Sequence, residues 1–151
     1  MMRRVSAMVV AAASLLGAGI TMAAPAQAAS CTPDNACLYS DSDFEGLKRD
    51  DYRSQSSWAS IHYDGFPDAY LYWSENWPLN VSSVDNWDVD TRISVYYHSQ
   101  WTGPCFKIAN YGSVSNLAYV TLSSGQNAND VMDAHLFGNN CSGTVYDSSS
   151  S

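Results

Sequence analysis

Basic side chains are scarce in this chain of 151 residues, which has 7 Lys and Arg against 15 Asp and Glu. Two of the basic residues, Arg3 and Arg4, lie in an N-terminal leader. The rest of the chain therefore has five basic and fifteen acidic side chains, a formal charge of −10. Negative charge of this size opposes binding to phosphate backbones and to anionic lipid surfaces. We expect neither nucleic acid nor a membrane as a partner of the part that follows the leader.

The sequence also lacks the residue spacings of common hydrolytic sites. Its three histidines, His62, His98 and His135, form no His-Glu-x-x-His pattern and no pair four residues apart, which disfavours a zinc peptidase. No Gly-x-Ser-x-Gly sequence is present, so the nucleophile elbow of the α/β-hydrolases is missing too. We interpret the histidines as surface or partly buried polar residues, and we expect the protein not to be an enzyme.

Only one long apolar segment occurs, and it lies near the N-terminus. Arg3 and Arg4 precede an apolar stretch over residues 7–24, which is followed by the small-x-small sequence Ala26-Gln27-Ala28. These features are typical of a secretory signal peptide and its cleavage site. No stop-transfer pattern follows, which disfavours a retained membrane anchor. The sequence predicts a signal peptide over residues 1–28 and a secreted, extracellular protein.

The remainder of the chain has a comfortable length for one domain. We predict a single domain over residues 29–147, with a core of its own. Residues 148–151 are four serines, a low-complexity tail that we predict to be disordered. No shift in composition indicates a second module, and we expect a monomer.

The 4 cysteines all follow the predicted signal peptide. An even number of cysteines in a secreted protein indicates disulfides, and four cysteines allow three pairings. Cys31 and Cys37 are close enough in sequence to close a small loop, which leaves Cys105 to pair with Cys141. A zinc site is the disfavoured alternative, because no Cys-x-x-Cys pair exists.

Short β-rich runs recur between turn residues along the mature part of the chain. Ile93, Val95 and Tyr97 stand at every second position, the period of a half-buried strand. No stretch carries apolar residues at helical spacing over three turns. The clearest predicted strands are residues 36–39, 69–73, 92–97, 105–109 and 117–122. The sequence predicts an all-β fold.

One pattern of aromatic residues and glycine occurs twice with a constant offset. The pairs Tyr39 and Tyr96, Phe44 and Trp101, and Gly46 and Gly103 are each 57 positions apart. A constant offset is what a duplicated supersecondary unit leaves in a sequence. Each copy predicts a folded hairpin, in which the glycine adopts a positive φ and the aromatic pair packs over the bend. We therefore interpret the chain as two halves of one domain.

These two copies resemble the repeated motif of the βγ-crystallin fold, in which two Greek keys of four strands form a compact sandwich. Most of the mature chain also resembles the small secreted bacterial peptidase inhibitors of family 36. The segments that carry this second resemblance are Cys31 to Tyr39, Phe44-Glu45-Gly46, residues 82–86, residues 103–117 and Asn129-Asp130. The resemblance implies a disulfide-bonded inhibitor domain whose partner is a secreted protease, of the metalloproteinase class for the known representatives.

An inhibitor of this kind acts by occluding the protease cleft with a surface loop held in its bound shape. In the best-known type of the family, a local disulfide in the second half tethers the loop. Here Cys105 has no second cysteine nearby. We place the inhibitory loop at residues 100–107, with Cys105 as the tether. The expected loop residues are Trp101, Gly103, Pro104, Cys105 and Phe106.

The resemblance to βγ-crystallin domains also implies calcium motifs, one in each Greek key, built from short acidic, amide and hydroxyl side chains. In the first half the positions for acid or amide are held by Pro78 and Leu79. In the second half Asn129 and Asp130 are kept, and Asp133 stands in the hydroxyl position. The sequence thus predicts one optional calcium site at these three residues and no required cofactor.

Three other interpretations stay open: a non-inhibitory calcium-binding βγ domain, a binder of cell-envelope polysaccharide, and an inter-microbial toxin on the same fold. The polysaccharide interpretation rests on flat aromatic side chains, which can lie against sugar rings. The run over residues 69–73 must place aromatics on both faces of its strand, so some of them are exposed or meet another layer. The tryptophans that could take this part are Trp58, Trp73, Trp77, Trp87 and Trp101.

Overall fold

The computed structural model of the protein describes residues 30–147. The predicted signal peptide at 1–28 and the serine tail at 148–151 lie outside the described residues. Within residues 30–147 there is no α-helix, and the chain forms strands and two short 3-10 helices, at Ser42–Phe44 and Leu117–Tyr119. The strands are β1 (Ala36–Tyr39), β2 (Lys48–Asp51), β3 (His62–Tyr63), β4 (Phe66–Tyr70), β5 (Ser83–Asn86), β6 (Ile93–His98), β7 (Thr102–Ile108), β8 (Ser113–Val114), β9 (Ala134–Phe137) and β10 (Val145–Tyr146).

The strands form two four-stranded sheets and a separate hairpin. The first sheet has the order β2-β1-β5-β8, the second has the order β10-β7-β6-β9, and β3 pairs with β4 alone. All of these pairings are antiparallel except that of β10 with β7. The prediction of an all-β fold is confirmed.

Each half of the chain contributes one segment to the sheet of the other half. Strand β8 comes from the second half and pairs with β5 of the first half, Val84 lying opposite Val114. In return Gln55, from the first half, forms a bridge with His135 on β9. Backbone bonds in both directions close this bridge, at 2.9 and 3.0 Å. This exchange joins the two halves into one sandwich.

The core lies between the two sheets and draws on both halves. Leu38 and Val84 project from the first sheet, and Val95 and Phe106 from the second; all four are almost inaccessible to solvent. Trp58, from the segment between β2 and β3, is also completely buried in this core. One hydrophobic core thus includes residues of both halves of the chain.

Strand β6 is buried on both faces, although its sequence predicts a half-buried strand. Ile93 and Val95 face the main core, whereas Tyr96 packs against Ala134 and the half-cystines of the second half. Ser94, on the same face as Tyr96, is buried too and donates a hydrogen bond to the Gly138 carbonyl at 2.8 Å. The prediction of half-burial is wrong because the C-terminal segment covers the second face of the strand.

Two of the predicted strands need correction. Residues 117–122 are not a strand: Leu117–Tyr119 form a 3-10 helix, because the Asn116 side chain accepts a hydrogen bond from the Ala118 amide at 2.9 Å and caps the turn. The strand predicted at 69–73 begins earlier and ends earlier, at Phe66–Tyr70. Residues 71–73 are instead irregular chain, in which Trp73 is exposed.

The two copies of the 57-residue repeat have the same backbone shape. The φ angles are 60°, 62° and 77° at Asp43, Phe44 and Gly46, and 59°, 56° and 78° at Gln100, Trp101 and Gly103. The spacing predicts positive φ at the glycines, and the structure adds two left-handed non-glycine residues before each. A Cβ on Gly103 would lie 2.7 Å from the ring of His98, and one on Gly46 would clash with the Ser40 hydroxyl. Both positions therefore require glycine.

The structure contains disulfides between Cys31 and Cys37 and between Cys105 and Cys141, and no free cysteine within residues 30–147. The first pair closes a loop with a sequence separation of 6, and the second spans 36 residues. These are the pairs that the spacing favours. Disulfides are characteristic of proteins from oxidising compartments.

Candidate functional site

Strands β6 and β7 are joined by an exposed turn, residues 98–103, which we call the β6–β7 tip. His98, Gln100 and Thr102 are exposed there, and Trp101 keeps 39% of its side chain accessible. The register of the two strands shifts between Tyr96 and His98, a β-bulge that bends the tip. The tip thus presents backbone and side chains to solvent.

Hydrogen bonds to the first half of the chain hold the β6–β7 tip in place. The Gln100 amide donates to the Ser56 carbonyl at 2.7 Å. The indole Nε1–H of Trp101 donates to the carbonyls of His135 and Gln55, at 3.0 and 3.2 Å. Within the tip, the Thr102 hydroxyl donates to the Ser99 carbonyl at 2.9 Å. An exposed turn with this many internal bonds has little conformational freedom to lose on binding.

The Cys105–Cys141 disulfide lies at the base of the tip, on strand β7. It attaches β7 to the C-terminal segment, which returns as β10 and pairs with Lys107 and Ile108. The Cα atoms of the two half-cystines are 6.0 Å apart. The Cys105–Cys141 bridge therefore anchors strand β7 directly after the tip.

The predicted inhibitory loop is only partly a loop. Residues 102–108 are strand β7, which pairs with β6 along its length and with β10 at Lys107 and Ile108. The exposed segment ends at Gly103. Pro104 and Cys105 are half-buried, and Phe106 is 1% exposed in the main core. The expectation that Phe106 belongs to an exposed loop is wrong, because its alternation with Cys105 along β7 turns its ring into the sandwich. Of the predicted loop residues, Trp101 and Gly103 remain accessible.

The predicted calcium ligands make hydrogen bonds with different parts of the chain. The Asp130 carboxylate accepts hydrogen bonds from Ser82 Oγ at 3.1 Å and from Asn129 Nδ2 at 2.6 Å. Asp133 instead accepts from the hydroxyl of Ser57 and the amide of Trp58, at 3.0 and 2.9 Å. Asp133 thus caps a turn of the first half, and a calcium site at Asn129, Asp130 and Asp133 stays a prediction.

Asn129 and Ser82 border an open polar hollow of about 390 Å³ together with the first hairpin, which contributes Ser40, Asp41 and Ser42. Burial raises the pKa of the Asp130 carboxyl, and the Ser82 hydrogen bond partly opposes that rise. Most of the lining side chains are short and polar, and Asp41 is the charged one. Asn116, Pro78 and Ala118 complete the lining.

Within residues 30–147, the one group of three ligand-type side chains that lie within 4.8 Å of one another is Cys31, Cys37 and Asp50. Both sulfurs belong to a disulfide, so they offer no thiolate to a metal. No helix in the same range is long and apolar enough to cross a bilayer.

Sequence reasoning missed the buried polar centre around His135. This histidine is fully buried, and its Nδ1 accepts a hydrogen bond from Trp58 Nε1 at 2.9 Å, while its Nε2 lies 2.8 Å from the Arg53 carbonyl. These partners fit the neutral ring with the proton on Nε2. Burial lowers the pKa of His135 to about 4, against the attraction of the nearby Asp51 carboxylate. The interpretation of His135 as a surface or partly buried residue is wrong, and no sequence signal marks its partners.

The comparisons with known proteins concern the fold. A solved structure described as "Evolution of the eye lens beta-gamma-crystallin domain fold" is similar to this chain with a TM-score of 0.51 and 17% identity, over 72% of this chain and 89% of that chain. A βγ-crystallin from Ciona intestinalis matches with a TM-score of 0.45 and 20% identity, over 68% of this chain and 98% of that chain. No family model and no curated protein matches the sequence.

The protein therefore has the βγ-crystallin fold: an all-β sandwich of two Greek-key motifs, here with two disulfides. The sheet order and the exchange of segments between the halves agree with this assignment. At 17% identity the similarity to solved structures shows the fold alone. It does not identify a ligand of this chain.

Proposed function

We propose that this protein is a secreted inhibitor of a peptidase, of the metalloproteinase class, which blocks the enzyme's cleft with the β6–β7 tip and performs no chemistry itself. The observation that carries the proposal is the combination of exposure and bracing at residues 98–103. The resemblance of the sequence to the bacterial inhibitors of family 36 supplies the target class.

The physical argument is preorganisation. A flexible loop loses conformational entropy when it enters a protease cleft, about 1 kcal/mol for each residue that becomes fixed. The β6–β7 tip has already lost most of this freedom, because Gln100 and Trp101 are bonded to backbone carbonyls of the neighbouring segments. Little of the free energy gained from contacts with the protease would therefore be offset by a loss of conformational entropy in the tip.

The disulfide serves the same purpose in the proposal. In the absence of a local bridge, strand β7 is fixed by its pairing with β6, by β10 and by the Cys105–Cys141 bond. These constraints stop the base of the tip from separating when a protease pulls on it. The contact residues are then His98, Gln100, Trp101, Thr102 and Gly103, and calcium is not needed for the mechanism.

The test is a titration of one zinc endopeptidase and one serine endopeptidase with the oxidised protein, with and without excess calcium. The proposal expects stoichiometric loss of activity of the zinc enzyme, independent of calcium. Absence of inhibition of both enzymes at a large excess of the protein would contradict the proposal. Inhibition of the serine enzyme alone would support the proposal that the protein is a peptidase inhibitor, but would contradict the assignment of its target to the metalloproteinases.

The internal repeat offers a matched pair of variants to locate the site. Gln100 and Asp43 occupy equivalent left-handed positions, with φ of 59° and 60°, and both are exposed. Glycine fits either position without strain. We expect Gln100→Gly to raise the inhibition constant at least tenfold and Asp43→Gly to leave it unchanged, with similar melting temperatures. Equal inhibition constants for the two variants would contradict the assignment of the inhibitory site to the β6–β7 tip.

A further inference from the structure

A second surface feature lies beside the β3–β4 hairpin. It is a cleft of about 220 Å³ with several aromatic walls, which we call the aromatic cleft. The residues that line it are Asp68, Ala69, Tyr70, Trp73, Trp77 and Leu79. Ligand sites for drug-sized molecules begin at about 300 Å³. The size of the aromatic cleft therefore suits a single ring rather than an extended ligand.

The aromatic cleft exposes far more apolar surface than folding alone explains. Trp73 keeps 63% of its side chain accessible, Trp77 43% and Leu79 40%. Tyr70 supports Trp73 from one side, with ring centroids 5.6 Å apart, and is itself backed by His62 at 4.3 Å. A contiguous exposed aromatic patch on a small domain marks a contact surface.

The chain that carries the two tryptophans is rigid. Asn80 is fully buried, and its side-chain oxygen accepts a hydrogen bond from the Trp73 amide at 2.9 Å. Its side-chain amide donates to the carbonyls of Ser74 and Asp130, at 2.6 and 2.7 Å. The Asn80 amide also donates to the Trp77 carbonyl at 2.9 Å. One buried residue thus holds both ends of the tryptophan segment, through its side chain at Trp73 and Ser74 and through its backbone amide at Trp77.

Charge indicates the kind of ligand. Asp68 is the one charged residue that lines the aromatic cleft; it is exposed, and it lies on the same strand face as Tyr70. No hydrogen bond or ion pair engages its carboxylate within residues 30–147. Aromatic faces also attract cations. Together with the formal charge of −10 that follows the leader, these features favour a positively charged ligand.

We propose that the aromatic cleft binds an amino-sugar ring of a cationic polysaccharide, a polymer of β-linked glucosamine with free amines. The sugar ring lies with its C–H face on the indoles of Trp73 and Trp77, where the partial positive charge of the C–H groups meets the negative π face. The ammonium group of the sugar pairs with the Asp68 carboxylate. Binding at this site is separate from the β6–β7 tip and from peptidase inhibition.

A polysaccharide fits better than a basic peptide for a geometric reason. A lysine side chain needs one aromatic face and a carboxylate, whereas this cleft offers two tryptophans on a rigid segment and room for a ring. Repeated sugars along a polymer also gain from the overall negative charge of the protein. A basic peptide is therefore the competing occupant that the experiment must distinguish.

The experiment is isothermal titration of the oxidised protein with three probes at low salt: hexameric glucosamine, its N-acetylated counterpart and hexalysine. Glucosamine hexamer is expected to bind at least tenfold more tightly than either of the others. Equal binding of the acetylated oligomer would overturn the role of Asp68. Equal binding of hexalysine would show attraction by charge alone and overturn the sugar assignment, and absence of glucosamine binding would overturn the proposal outright.

Variants then locate the binding. Trp73→Ala and Asp68→Asn are each expected to weaken glucosamine binding at least tenfold, whereas Tyr119→Ala, which removes an aromatic ring that is 70% exposed and lies outside the aromatic cleft, leaves it unchanged. All three positions are exposed, so the melting temperatures should agree with that of the parent protein. Undiminished binding by Trp73→Ala would overturn the assignment to this cleft. Inhibition assays are not involved, so failure here is distinct from failure of the inhibitor proposal.

Discussion

At the scale of single residues, the pair of Trp58 and His135 shows how a polar group is accommodated in the middle of this sandwich. Both side chains are fully buried, and each satisfies the other through one hydrogen bond. Asp51 is also buried nearby, where it accepts a hydrogen bond from Gln55 at 2.9 Å and faces Arg49 Nε at 3.8 Å. The neutral form of His135 is therefore part of the folded state.

This burial predicts a loss of stability in mild acid. Because the pKa of His135 is about 4 when folded and near 6.5 when unfolded, the unfolded state takes up the proton first as the pH falls. The contribution of neutral His135 is complete above the unfolded pKa and is lost between the two values. At about 1.4 kcal/mol per pKa unit, the loss is roughly 3 kcal/mol.

Denaturant unfolding across this pH range checks the prediction. His135→Gln, which keeps an amide near the indole, should flatten the dependence of the unfolding free energy on pH between the two pKa values. His98→Gln, which changes an exposed histidine, should retain the slope of the parent protein. A slope that is the same in all three proteins would show that His135 is not the responsible group.

At the scale of elements, the two folded hairpins are the units on which the repeat is built. In each of them a glycine at positive φ permits the chain to return over its own bend, and Tyr39 and Phe44 pack edge to face across the first bend with centroids 5.7 Å apart. Gly65, in the β3–β4 turn, has a φ of nearly the same size but has open space around it. A comparison of the two positions therefore distinguishes the free-energy cost of a positive φ from the free-energy cost of a steric clash at Cβ.

Alanine substitutions at Gly65 and Gly46 measure the two costs. Both residues have nearly the same φ, 79° and 77°, so each variant carries the strain of a left-handed Cβ, about 1 kcal/mol. At Gly46 the added methyl also clashes with the side chains of Ser40 and Asp41. We expect Gly65→Ala to lower the free energy of unfolding by about 1 kcal/mol and Gly46→Ala by about 3 kcal/mol or more. Thermal or urea unfolding gives both values, and equal losses would contradict the role of crowding.

At the scale of the whole molecule, the exchange of β8 and Gln55 between the halves ties both Greek keys into one core. Neither half can unfold without breaking the sheet of the other. We therefore expect one cooperative transition, as in most small single domains.

Leu38 and Ile108 test this cooperativity from opposite halves, since both are completely buried in the shared core. Leu38→Ala and Ile108→Ala should each lower the unfolding free energy by about 2 to 5 kcal/mol. Tryptophan fluorescence and far-ultraviolet circular dichroism should report the same midpoint in either variant. Separate midpoints for the two signals would indicate that the halves unfold independently.

Local patterns in the sequence predict much of the fold. Contacts between residues that are distant in the sequence could not be predicted from it. The 57-residue repeat predicted both hairpins because glycine and aromatic spacing is a local property, and the strand at 36–39 was found for the same reason. The burial of His135 depends on Trp58, which lies 77 residues away, and the rigidity at Asn80 depends on Asp130. Such pairings leave no periodicity in the sequence.

The candidate site shows the same division. The sequence located the tip through Trp101 and Gly103, yet it extended the loop into β7, because an apolar residue such as Phe106 has the same appearance in a loop and in a core strand. The carboxylate of Asp133, a predicted calcium ligand, accepts a hydrogen bond from the Ser57 hydroxyl, which is a contact between distant segments. The bracing of Trp101 by the His135 carbonyl is a contact of the same kind.

The positions of the two disulfides determine what a single cut at the β6–β7 tip would do. The Cys31–Cys37 bond lies wholly before the tip, and the Cys105–Cys141 bond lies wholly after it. A peptidase that hydrolysed the bond after Gln100 would leave two fragments with no covalent link, which would separate on a denaturing gel even without reductant. After such a cut, only the noncovalent contacts within and between the two sheets would hold the fragments together.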